Sequence, residues 1–372
     1  MANSHPVFFH RARIRFCPTR GIAEFLTLST LLLSLLKKCV PPRRSVLATA
    51  TCLFVAMAPL VAAQALPAPP DSESRFTEDF SKIALTGSSL QAEPPELVDR
   101  VEENSYISEW IKVEWRPGDP IYLYVTLPRN IRKPPVVIYL YEYPYETDVY
   151  RDSDWCERVT ARGYAAVGFV PALTGHRYHD RPMKEWFVSE LQESLAASAH
   201  DVQMVLNYLQ SRGDLDMDRT GMFGTGAGGT IALMTASVDH RIKAVDILNP
   251  WGDWPVWMAQ SKLIPEEERP SYVKAEFLSK VAAFDPLVLL PQLSTPHIRL
   301  IQTDADENTP VDAKAHIEAA RPTSAESHHF QTDKELEKAM STSGGELAWL
   351  KNQLGPQAQS RPSANAATAK AR

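Results

Sequence analysis

The stretch TGMFGTGAGGTIALMTASV, residues 220–238, constrains the fold more than any other part of the chain: an apolar run ends in four closely spaced glycines and passes directly into an apolar segment at helical spacing. A strand, a turn too tight for side chains and a helix must follow one another here. Glycine suits such a turn because it lacks the Cβ that would clash and it adopts positive φ at little cost. A strand of this kind needs neighbours on both sides, and the rest of the sequence supplies them.

PPVVIYLY, YAAVGFV, IKAVDILNP and HIRLIQT are short apolar runs of the type found in strands buried on both faces. Between them lie helix-like segments: SDWCERVTARGY, the stretch from Met183 to Arg212 that contains ELQESLAASAHDVQMVLNYLQS, and the closing KELEKAMSTSGGELAWLKNQL. Strands that alternate with helices imply a parallel sheet covered on both faces. Ahead of them, YISEWIKVEW and PIYLYVTLP flank the turn cluster Arg116-Pro117-Gly118-Asp119, which predicts an antiparallel hairpin. The expected fold is α/β: a three-layer α/β/α sandwich with a mostly parallel central sheet and an N-terminal antiparallel hairpin.

Four regions are expected along the 372 residues: a leader over 1–65, a linker or disordered arm over 66–104, one domain over 105–354 and a disordered tail over 355–372. Arg43 and Arg44 precede SVLATATCLFVAMAPLVAAQA, which ends in Ala-x-Ala-like sites around Ala63 and Ala65. This is the pattern of a secretory signal, and the arginine pair is similar to a twin-arginine signal; either predicts export to the periplasm or the exterior. The earlier apolar stretch IAEFLTLSTLLLSLL is shorter than the ~20 residues that cross a bilayer, so no stable membrane span is expected once the leader is removed. Cys17, Cys39 and Cys52 fall in the leader, leaving Cys156 alone, read as a small buried hydrophobe. A formal charge of -6 and no cluster of basic and aromatic residues in the folded part argue against nucleic-acid binding.

The chemistry-bearing pattern is again the glycine turn. A strand, a G-x-S-x-G turn and a helix form a nucleophile elbow, in which the flanking glycines allow the sharp bend. Gly224 and Gly228 fit the flanks, but the central position is Gly226, which offers no oxygen or sulfur. Thr225 and Thr230 are the nearby hydroxyls, and their Cβ directions leave the turn.

With these residues in order, the chain over about 105–354 resembles the α/β-hydrolase superfamily, in the style of its esterase, dienelactone-hydrolase and prolyl-oligopeptidase-like catalytic domains. STPHIRLIQTDADENTP resembles the strand that ends in the triad acid, which places the acid at Asp306; ESHHF resembles the histidine loop, which places the histidine at His328. The resemblance implies an oxyanion hole from the backbone N–H of Ala227 and of Glu142 or Tyr143. Tyr141, Trp251 and Trp254, with Tyr143, Tyr145 and Trp257, are candidates for an aromatic pocket, although core packing accounts for aromatics as readily. His176 and His179 lack a third ligand at metal spacing, so neither a metal nor a cofactor is expected.

Three functions follow as expectations. The first is an exported descendant of ester or peptide hydrolases, without catalysis, that binds a small ester-like or peptide-like molecule. The second is a hydrolase of carboxylic esters with a displaced nucleophile or a water activated by His328. The third is a dinucleotide-binding protein, since Gly224, Gly226 and Gly229 satisfy G-x-G-x-x-G and Asp246 follows about twenty positions later. If the acid, histidine and oxyanion groups hold their places, Gly226→Ser is expected to gain ester hydrolysis.

Overall fold

A computed structural model describes residues 77–141, 148–174, 177, 187–341 and 345–355. Nine strands among them form one sheet: β1 Glu96–Glu102, β2 Tyr106–Val113, β3 Ile121–Pro128, β4 Pro135–Leu140, β5 Ala165–Gly168, β6 Asp216–Thr225, β7 Ile242–Leu248, β8 His297–Thr303 and β9 Glu326–Phe330. Their order across the sheet is β1-β2-β3-β5-β4-β6-β7-β8-β9. The first three strands and the β3–β5 contact are antiparallel, and every later pair is parallel. The predicted hairpin is β2–β3, closed at the predicted turn by the Asp119 N–H donating to the Arg116 carbonyl, with Gly118 at φ 74°.

Alternation along the buried strands assigns the two faces. Val136, Ile138 and Leu140 of β4 join one apolar cluster with Met222 and Val245, and α2 (Leu191–Arg212) and α3 (Ala227–Val238) cover it. Val137 and Tyr139 join the other with Phe223 and Ile301, under α1 (Ser153–Ala161), α6 (Asp333–Met340) and α7 (Glu346–Leu354). Each fully buried Val, Leu or Phe contributes about 1.5–3 kcal/mol, and this two-sided burial is what the unbroken apolar runs encode. Between β7 and β8 the chain forms α4 (Trp254–Gln260) and three short helices, Arg269–Tyr272, Ala275–Val281 and Pro286–Leu289; α5 (Val311–Ala320) joins β8 to β9.

Local signals fix the ends. The Asp152 side chain caps α1 by accepting from the Trp155 N–H at 2.8 Å, and Gly213 ends α2 in the left-handed conformation at φ 73°. No helix of the described residues is long and apolar enough to cross a membrane.

The start of the fold differs from the expectation of an arm up to residue 104. Strand β1 lies inside that stretch and pairs with β2, while Phe80, Ile83, Leu85 and Leu90 pack against the core. The composition there is too poor in apolar residues to show a periodicity, yet four isolated side chains suffice once α2 offers a surface. The expected leader and tail lie outside the described residues, except for Gly355 at the end of α7.

Candidate active site

In a parallel sheet of this type the chemistry belongs at the carboxyl ends of the strands. There the chain passes from β6 through Gly226 into α3. Gly226 adopts φ 55°, ψ -123°, a conformation sparsely populated by residues with a side chain. Its N–H donates to the Leu248 carbonyl at 2.9 Å, and its carbonyl accepts from Thr230 N at 3.2 Å and Trp251 N at 3.4 Å. The turn is also closed sterically. A Cβ on Gly224 would sit 2.3 Å from the Gly228 carbonyl oxygen, and one on Gly229 would sit 3.0 Å from Ile247 Cγ2.

The neighbouring hydroxyls do not replace the missing one. Thr230 is fully buried and its hydroxyl donates to the Trp251 carbonyl at 2.6 Å. Thr225 is 5% exposed, next to the turn. Hydrogen bonds from described histidines to other described residues all go to carboxylates or a carbonyl: His200 to Glu78 and Lys82, His316 to Asp253, His329 to Asp304. None goes to a hydroxyl or thiol.

Asp306 lies in the loop after β8, as the sequence predicts. Its carboxylate accepts from the N–H groups of Asn308 at 3.0 Å and Thr309 at 3.2 Å. Burial pushes this carboxyl above its ordinary range, against the backbone bond from Asn308 and the nearby Lys314 ammonium. Lys314 is itself buried and donates to the carbonyls of Thr303 at 2.7 Å and Asp306 at 2.6 Å, which fixes the loop; burial lowers its pKa, opposed by Asp306 and Asp304.

His328 is not in a loop. ESHHF is strand β9, with His328 opposite Ile301, half-exposed, stacked over Phe330 and 3.9 Å from Glu326. It makes no bond to Asp306. Three strand spacings separate β6 from β9, about 14 Å, and a side chain standing on the strand's flank cannot span that distance to the turn. A histidine could reach back only from the segment after β9, and there the chain reads Gln331-Thr332-Asp333, where Thr332 caps α6. The acid–imidazole pair that does form at this edge is Asp304–His329, 2.9 Å apart and half-exposed on both sides.

The remaining candidates separate in the same way. Trp251 and Trp254 are each 1% exposed and Trp257 is fully buried, so these three form core, with the Trp251 and Trp257 rings 4.8 Å apart. Tyr141 is half-buried against Tyr150 and Phe223. Ala227 begins α3, so its N–H is among those without a helical acceptor. Glu142, Tyr143, Tyr145, His176 and His179 lie outside the described residues. Cys156 is buried, as expected, and burial raises its thiol pKa.

Asp246 decides the dinucleotide expectation. It is fully buried within β7 and forms a two-pronged ion pair with Arg299, at 2.8 and 2.6 Å, beneath the Trp349 indole. A carboxylate that binds a ribose must stand free at the end of its strand, and this one is consumed inside the sheet.

Sequence reading missed a second pair, Asp253–His316, at 2.5 Å; residues so far apart with no shared motif leave no linear trace. Asp253 holds φ 54° at the start of α4. The hydrogen bond to Asp253 raises the His316 pKa above 6.5. The folded state therefore gains from this pair below the ordinary histidine value and loses the gain as pH rises through the raised one. An NMR titration of His316 is expected to show a midpoint above 6.5, falling toward it in Asp253→Asn.

Residues 121–341 match the dienelactone hydrolase family, more than half of the chain. The chain belongs to the dienelactone hydrolase family. Among solved structures it is similar to an acetyl xylan esterase from Paenibacillus sp. R4, at 16% identity and a TM-score of 0.57, covering 74% of this chain and 91% of that one. An acetyl xylan esterase from Thermoanaerobacterium sp. JW/SL YS485 matches at 13% identity and a TM-score of 0.54, covering 71% and 89%. An S-formylglutathione hydrolase from Agrobacterium tumefaciens matches at 16% identity and a TM-score of 0.52, covering 70% and 100%. At such identities the likeness concerns the α/β-hydrolase fold. No curated protein matches the sequence.

Proposed function

We propose that this member of the dienelactone hydrolase family is an exported protein without hydrolytic activity that binds a small ester-like or peptide-like molecule at the carboxyl edge of its sheet. One observation carries the reading: the elbow is kept in its bent form around Gly226, where attack on a carbonyl needs a lone pair. The position of His328 on the flank of β9 supports it, because a serine restored at the turn would have no imidazole to take its proton. The acetyl xylan esterases and the S-formylglutathione hydrolase point to an ester as the ligand class. Export rests on the charged and apolar leader before Ala65.

Turnover of p-nitrophenyl acetate tests the reading. The native protein is expected to stay at the rate of an Ala227→Pro variant, whose substituted nitrogen removes the N–H from the turn. Turnover that follows a pH profile and disappears in His329→Ala or His328→Ala would instead establish a displaced nucleophile or an activated water.

A further inference from the structure

Charge as well as apolar packing holds segment 77–90 to the domain. The Glu78 side chain is 1% exposed; its two oxygens accept from Arg116 Nε at 2.5 Å and Nη2 at 2.6 Å. One of those oxygens also faces His200 Nδ1 at 2.6 Å, and the other ring nitrogen, Nε2, faces the Lys82 carbonyl at 3.0 Å. Close by on α2, Gln203 donates to the Ile83 carbonyl at 2.8 Å and accepts from the Leu85 N–H at 3.3 Å. Phe80 packs on Ala172 and Leu173, in the loop that follows β5.

His200 is fully buried between two oxygens. A carbonyl cannot donate, and the Arg116 fork on both Glu78 oxygens favours the ionised carboxylate, so both ring nitrogens must carry the protons. Burial raises the Glu78 carboxyl, but the hydrogen bonds from Arg116 and His200 outweigh it and leave it below 4.5. The charge balance agrees. Beyond Glu78 the cluster contains Asp201, which accepts from Trp115 Nε1 at 2.8 Å and from both Arg116 and Arg177, and Asp119, which pairs with Arg177 at 2.5 Å. Among the described residues, Glu78, Asp119 and Asp201 face Arg116, Arg177 and His200, and the cluster is neutral only when the imidazole is charged.

We propose that segment 77–90 is a strap latched by the proton of His200, and that loss of this proton unlatches the strap from α2 and lifts Phe80 from Ala172 and Leu173. A neutral ring would turn a lone pair toward the Glu78 carboxylate or the Lys82 carbonyl, leaving a buried acceptor without a donor. Among the described residues, the groups that face the ring are Glu78 and the Lys82 carbonyl from the strap and Arg116 from the β2–β3 turn, with Asp201 beside it on α2.

The experiment combines nitrogen-15 NMR of the His200 ring with hydrogen exchange, as pH is raised from acid, of the Leu85 amide, which donates to Gln203, and the Ser89 amide, which donates to the Thr77 carbonyl at 2.8 Å. In the clasped protein the ring is expected to give the shifts of an imidazolium. On its deprotonation, Leu85 and Ser89 should exchange about ten- to a hundredfold faster, after correction for intrinsic base catalysis, while amides of β6 keep their protection. His200→Gln should abolish the step that accompanies ring deprotonation. Glu78→Gln should abolish the acid step, since a carboxyl held below 4.5 stabilises the strap above that value and loses its effect as pH falls. A neutral single tautomer of His200 in the clasped protein would overturn the proposal, and so would an opening of the strap with rising pH that survives in His200→Gln. The first of these is measured on the native chain and does not depend on the variant folding.

Discussion

Asp246→Ala is expected to lower stability by about 3–5 kcal/mol, the largest loss expected from any single side chain described above, because it removes the carboxylate paired with the buried Arg299 guanidinium. Asp246 lies fully buried in the low dielectric of the core; burial raises its carboxyl and Arg299 opposes that rise. With the carboxylate gone, Arg299, 2% exposed, loses its two-pronged carboxylate partner, and the face of Trp349 at 4.9 Å is a weaker partner for a buried charge. Chemical unfolding should therefore show an earlier midpoint at an unchanged slope. Replacing both partners by apolar residues of similar volume should restore much of the loss, since removing the pair together leaves no buried charge. A ribose-binding carboxylate at a strand end would behave otherwise: its removal would leave stability almost unchanged.

The second large effect separates two glycines of the same turn. Gly224→Ala is expected to cost about 3 kcal/mol or more, at the upper end of overpacking, because the new Cβ would stand 2.3 Å from the Gly228 carbonyl oxygen and 2.6 Å from its carbon. Both obstacles are backbone at the start of α3, so neither can swing aside. Gly226→Ala introduces a side chain at φ 55° and is expected to cost about 1–3 kcal/mol through backbone strain. Thermal melts of the two variants should rank them in that order. An enzyme of this fold accepts the strain at the central position for the sake of its nucleophile; this chain has relieved it.

The fold was legible because burial on two faces writes unbroken apolar runs, and because Gly224 and Gly226 mark a turn whose close backbone approach and positive φ favour glycine. The hairpin was legible from Arg116-Pro117-Gly118-Asp119 for the same reason. Strand β9 was not: its residues are mostly exposed at the sheet edge, so ESHHF shows no alternation, and adjacent histidines before a phenylalanine look like a loop motif. The sequence therefore placed His328 on the catalytic position, while the structure turns it to the flank and pairs His329 with Asp304 instead. Segment 77–104 was illegible for another reason. Glu78 is buried by ion pairs to Arg116 and His200, and an ion pair between distant residues leaves no periodicity in either partner's neighbourhood. The tryptophans after β7 were equally ambiguous in sequence, since a pocket wall and a core use the same residues; burial decides for the core.

The same placement of His328 revises what restoring the nucleophile should do. With the acid loop held by Lys314, Gly226→Ser is expected to remain without an activated hydroxyl. Intact-mass measurement after exposure of the native protein and Gly226→Ser to a fluorophosphonate tests the proposed lack of catalysis most directly. Both should keep their unmodified mass; an adduct on the native chain, or rapid stoichiometric labelling of Ser at the turn, would contradict the absence of a working nucleophile–histidine pair.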